Sequence, residues 1–155
     1  MLGKPEAGWT DFSIDDEHTY PLSYLTDVAV EWLEQAIHGL TTLEPFAVHG
    51  GCEPGRMVCT VSYWNCYIVF ESDGLVNKNT CMEMYGVALS MIDFCKILYE
   101  EISRDLEDWV HWDDSAMQSR IGFDERRKMI QEKLAALKEL LDSRQEYFGP
   151  HRCFF

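Results

Sequence analysis

Residues 80–112 read "TCMEMYGVALSMIDFCKILYEEISRDLEDWVHW". Thr80 and Glu83 stand three apart, the spacing of a capping box at a helix start. Beyond them Met84, Met91, Cys95, Leu98, Ile102 and Trp109 fall on one stripe at about 100° per residue. The pattern predicts one long amphipathic helix over residues 81–112. Seven acids lie between Glu100 and Asp114, mostly opposite that stripe. On this helix Glu101, Asp105 and Asp108 line the edge where the acidic face meets the apolar one, beside Trp112. Asp113 and Asp114 follow near the helix end, where the macrodipole disfavours anions. An aromatic among carboxylates suits a contact with Arg and Lys of a partner. Glu101, Asp105, Asp108, Trp112, Asp113 and Asp114 are therefore the expected partner-binding residues. The plainer alternative is a solvated face, with Trp112 closing the core. Glu107 and His111 lie one turn apart and could share a metal. A metal site needs three or four converging ligands, and no second motif supplies them.

Upstream, "EPFAVHGGCEPGRMVCTVSYWNCYIVFESDG" holds the strands, over residues 45–72. Met57, Cys59, Val61 and Tyr63 alternate along one strand. Cys66, Ile68 and Phe70 alternate along the next, with a connection at Trp64 and Asn65. "EPG" at 53–55 is a turn. Before the strands, a helix is expected over 23–39, capped by Ser23 and carrying Leu25, Ala29, Trp32, Ala36 and Leu40 on its apolar face; Gly39 marks its end. Residues 9–21 alternate as a hairpin around "DDE" at 15–17, and this hairpin is expected to extend the sheet. A last helix over 124–148 carries Ile130, Leu134, Leu137 and Leu141. The expected fold is a single α+β domain over 1–155, an antiparallel sheet of about five strands with three helices on one face.

"WTDFSI", "LSYLTD" opening a helix, and strands around "EPG" resemble a group of small uncharacterised bacterial proteins, over residues 8–112. The resemblance supports the order of elements and carries no activity with it.

The 155 residues fit one domain, and a hydrophobic content of 46% suits a packed core. The formal charge of −14 is uneven. Residues 1–114 hold 5 Lys and Arg against 21 Asp and Glu, while residues 115–155 hold 8 against 6. A field this negative repels nucleic acid and anionic membranes and attracts basic proteins. Solubility alone would also account for it. The six cysteines form no CxxC pair, so buried free thiols and a cytoplasmic location are expected. No stretch has the apolar core of a signal peptide or the length of a membrane span. "HGGCEPG" at 49–55 lacks the Lys and Ser/Thr of a phosphate loop, and no cofactor is expected. His49 with Cys52 lacks a third partner for nucleophilic work. "DDEH" at 15–18 lacks the ligand spacing of a calcium loop. Arg126, Arg127 and Lys128 open the last helix and suit pairing with acids in the same chain or in a second copy.

These features favour a non-enzymatic acidic protein-binding module, an inhibitor or immunity protein neutralising a basic toxin. The alternatives are a metal-assisted hydrolase using Glu107 and His111, or a subunit of a homo-oligomer.

Overall fold

In the computed structural model, which describes residues 1–73, 82–112 and 121–149, residues 82–87 are not helical. They form a strand, and this changes the architecture. In chain order the elements are β1 (Trp9–Phe12), β2 (Tyr20–Ser23), α1 (Val28–Thr42), β3 (Phe46–Gly51), β4 (Arg56–Val61), β5 (Cys66–Glu71), β6 (Met82–Val87), α2 (Met91–Arg104), α3 (Leu106–Val110) and α4 (Phe123–Arg144). A 3₁₀ turn, Gln145–Phe148, follows α4. The chain is an α+β domain with two antiparallel sheets, β1-β2 and β3-β4-β5-β6.

The expected helix over 81–112 is corrected at both ends. Thr80 lies outside the described residues, and Glu83 sits on β6. The operative cap is Ser90, whose Oγ accepts from Asp93 N at 3.2 Å while donating to Asp93 Oδ2 at 2.6 Å. This is the same Ser-x-x-acid chemistry ten residues later. α2 then ends at Arg104, and Asp105 joins it to the short α3. The helix before the strands also starts late. Ser23 belongs to β2, and Asp27 caps α1, accepting from Val30 N at 3.4 Å. Leu25, expected on the apolar stripe, is 65% exposed. Gly39 does not end α1, which continues to Thr42 and closes on Leu43 in the left-handed region. Gly39 instead admits the ring of Phe46: a Cβ there would lie 2.1 Å from Phe46 Cδ1. The last helix is close to expectation.

The larger sheet is a meander whose inner face carries Val48, Met57, Cys59, Val61, Cys66 and Ile68, all buried. α1 and α2 cover one part of that face. Phe94 of α2 meets Phe46 edge-on at 6.0 Å and stacks near Trp32 at 6.3 Å. The β1-β2 hairpin covers another part, with Tyr20 stacked on Phe70 at 5.2 Å and His18 on Tyr85 at 4.1 Å. The hairpin therefore lies across the face, and the expectation that it extends the sheet is corrected. Two contacts explain this. Gly50 leaves room for Leu22, which a Cβ would approach to 2.7 Å. The outer edge of β3 is already occupied: Trp32 Nε1 donates to His49 O at 2.8 Å, and Gly51 N donates to Thr26 Oγ1 at 3.2 Å. No strand can pair there without displacing both.

α4 packs on the helical layer, away from the sheet, and is pinned by an ion pair whose arginine is buried. Arg126, 1% exposed, bonds Asp27 through both guanidinium NH2 groups, at 2.5 and 2.8 Å, and donates from Nε to Trp109 O at 3.2 Å. One aspartate thus caps α1 and anchors α4. Among the described residues, no helix is long and apolar enough to cross a membrane.

Candidate partner-binding surfaces

The acidic edge of α2 and α3 is largely neutralised within the chain. Glu101 turns inward: its Oε2 accepts from Leu2 N at 2.7 Å, and its Oε1 lies 3.2 Å from the Met1 amino group. Asp105 accepts from Arg104 Nη2 at 2.6 Å and Nε at 3.0 Å. Asp108 pairs with Lys4 at 3.3 Å. Trp112 is 1% exposed, packs on Trp109 at 5.1 Å, and donates from Nε1 to Thr26 O at 3.1 Å. The view of Trp112 as a surface anchor is thereby corrected, and the plainer alternative, a tryptophan closing the core, describes it. Asp113 and Asp114 lie outside the described residues. Of the described members of this group, Asp108 alone keeps a substantially exposed side chain, and it lies beside Lys4 of its own chain.

Glu107 and His111 do not converge on a vacant ligand position. Both Glu107 oxygens accept from Arg127, each at 2.8 Å, and this holds the Glu107 carboxyl below the ordinary range. His111 packs on Phe123 at 4.2 Å. Among the described residues no three His, Cys, Asp or Glu side chains group as a metal site. His49 and Cys52 point apart, His49 exposed on the outer face and Cys52 buried. Burial pushes the Cys52 thiol up to about 11. Contact with Cys66 together with burial raises Cys59, and burial raises Cys95, so none of these thiols is an activated nucleophile. Asp15 of "DDEH" is committed to its turn. It accepts from the amides of Glu17 at 3.0 Å and His18 at 2.7 Å, and meets His18 Nδ1 at 2.9 Å. That ring contact, more than any other, lowers the Asp15 carboxyl.

Among the described residues, a cleft with room for a partner side chain lies elsewhere, between α1 and the edge strand β3. Glu31, Glu34 and Gln35 line one wall of a cleft of about 360 Å³, Ala47 and His49 line the other, and Trp32 and Val48 form its base. The Glu31 carboxylate lies 3.7 Å from His49 Nε2, and both side chains are substantially exposed. Glu34 accepts from Lys133 Nζ of α4 at 2.7 Å. Periodicity places Trp32 on the apolar face of α1 and so leaves Glu31 and Glu34 facing outward. Their meeting with β3 is a tertiary contact, and no spacing in the sequence announces it. An open, two-carboxylate cleft on an apolar base can receive an ammonium or guanidinium group.

Comparison with family models, with curated proteins and with solved structures finds no match for this chain.

Proposed function

We propose that this chain is a non-enzymatic binding module for a basic protein partner, an inhibitor of the immunity-protein kind, and that its contact site is the cleft between α1 and β3. The observation that carries this is the pair Glu31 and Glu34, half-exposed over Trp32 and Val48. The charge of −14 supplies long-range attraction for a basic partner, and the cleft supplies the short-range contact. An incoming Arg or Lys would exchange with Lys133 at Glu34 and with His49 at Glu31. Neither exposed pair resists such an exchange strongly.

The test is titration of the chain with an arginine-rich peptide at low and high salt, followed by NMR. Shifts should concentrate on residues 31–35 and 47–49, weaken with salt, and disappear in Glu31→Lys. Asp105→Asn and Asp108→Asn should leave them in place. Shifts confined to α2 and α3, or binding indifferent to salt, would overturn the proposal.

A further inference from the structure

The ladder of the larger sheet has a definite phase. The turn between β4 and β5 closes with Ser62 N donating to Asn65 O at 2.9 Å. From that pair, hydrogen-bonded and non-bonded positions alternate along each strand. In β3 the outward-facing backbone groups therefore belong to Ala47, His49 and Gly51, in agreement with the bonds from Trp32 and to Thr26. In β6 the same phase assigns the inward bonds to Glu83, Tyr85 and Val87, and turns the backbone groups of Met82, Met84 and Gly86 outward. Among the described residues nothing bonds these outward groups.

The side chains of the same three positions stand on the sheet face that no helix among the described residues covers. Met84 continues the row His49–Val58–Val69, and Gly86 continues the row Ala47–Thr60–Tyr67. Met82, Met84 and Tyr67 are 59%, 68% and 52% exposed, a concentration of apolar surface at one sheet edge. The strand carries no Lys, Pro or bulge, and the one charge on it, Glu83, lies on the inner face of the sheet, off the outer-face row of Met82, Met84 and Gly86.

We propose that β6 pairs antiparallel with β6 of a second copy, across a two-fold axis through Met84, joining the two sheets into one. The three outward residues are symmetric about Met84, so this register bonds all of them: Met82 with Gly86 of the partner copy, Met84 with Met84, Gly86 with Met82. One edge serves both sides, which is the requirement of an isologous contact. The side chains also fit. Met82 falls opposite Gly86, over which the Tyr67 ring already lies, close enough that a Cβ on Gly86 would be 3.3 Å from it. Methionine sulfur on an aromatic ring is a favourable contact. On the inner face Glu83 falls opposite Tyr85, so no like charges meet directly. A basic partner finds no carboxylate among Met82, Met84 and Gly86, whereas a second copy finds its own complement.

This contact is separate from the α1–β3 cleft and responds to salt with the opposite sign. Two copies of charge −14 repel, so screening strengthens their association. Sedimentation of the full chain over a range of concentrations, at low and high salt, tests it. The wild type should form a dimer that tightens with salt. Met84→Pro removes only an outward N–H, and Met84→Lys places two ammonium groups at the axis. Each should leave a monomer with unchanged circular dichroism. A wild-type monomer at every concentration, or a dimer that persists in both variants, would overturn the proposal.

Discussion

The two edges of the larger sheet are made from strands of equal length, yet the molecule treats them differently. At β3 the outward carbonyl of His49 is taken by the Trp32 indole and the outward amide of Gly51 by the Thr26 hydroxyl. At β6 the outward groups of Met82, Met84 and Gly86 meet nothing among the described residues. Burial follows the same division. β3 alternates buried and exposed residues, whereas β6 is exposed or half-buried throughout. An unpaired strand edge invites another strand unless something occupies it. Here a helix and the loop before it occupy one edge, so the features that fix α1 also decide which edge stays open.

The largest effect should come from the anchor of α1. Arg126→Ala removes the buried partner of Asp27 and the donor to Trp109 O. Chemical denaturation should show a loss of about 3–5 kcal/mol, the cost of breaking an ion pair whose arginine is buried. Next is Gly39→Ala, which drives a methyl group into Phe46 at the start of β3. A loss of about 2–3 kcal/mol is expected from the overpacking, read from the denaturation midpoint. Trp32→Phe keeps an aromatic in the core and deletes the bond to His49 O. It should cost about 1–2 kcal/mol in chemical denaturation and free the His49 carbonyl, while Gly51 N stays bonded to Thr26 Oγ1, so Met84→Pro should still abolish association in this variant.

The smallest effect concerns the hairpin that crosses the inner face. The Asp15 carboxyl is lowered chiefly by its bond to His18. A carboxyl lowered on folding contributes stability that is fully present above its unfolded value, near the ordinary 3.8, and that is lost as pH falls through the lower folded value. Asp15→Asn should therefore be slightly less stable than the wild type at neutral pH and indistinguishable from it in strong acid. Unfolding followed across that range checks the sign.

Much of this fold was legible in the sequence, for identifiable reasons. β4 has Met57, Cys59 and Val61 buried on one face, and β5 begins with the same alternation at Cys66, Tyr67 and Ile68, so their period of two is readable. α4 shows its seam of Ile130, Leu134, Leu137 and Leu141 because one side of it faces water. β6 was hidden because neither of its faces is fully buried, which leaves its apolar residues open to a helical period as well as a strand period. Its methionines fit the stripe of α2, and the Thr80–Glu83 spacing imitates the cap that Ser90 forms with Asp93. The acidic edge misled for another reason. Carboxylates are visible in a sequence, but their partners are not: Glu101 finds Leu2 and Asp108 finds Lys4, about a hundred positions away. Of the two pairings expected for the basic start of the last helix, with acids of its own chain or of a second copy, Arg127 makes the first, with Glu107. The cleft leaves no mark in the sequence because its two walls become neighbours only when α1 lies along β3.

Amide hydrogen exchange of Gly51 and Met84, measured across a range of protein concentrations, tests the contrast between the edges most directly. The Gly51 amide should be protected at every concentration, because its acceptor Thr26 belongs to the same chain. The Met84 amide should exchange fast in dilute protein and slow as concentration rises. A Met84 amide whose exchange does not change with concentration, or a Gly51 amide that exchanges as fast as an open edge, would contradict this account.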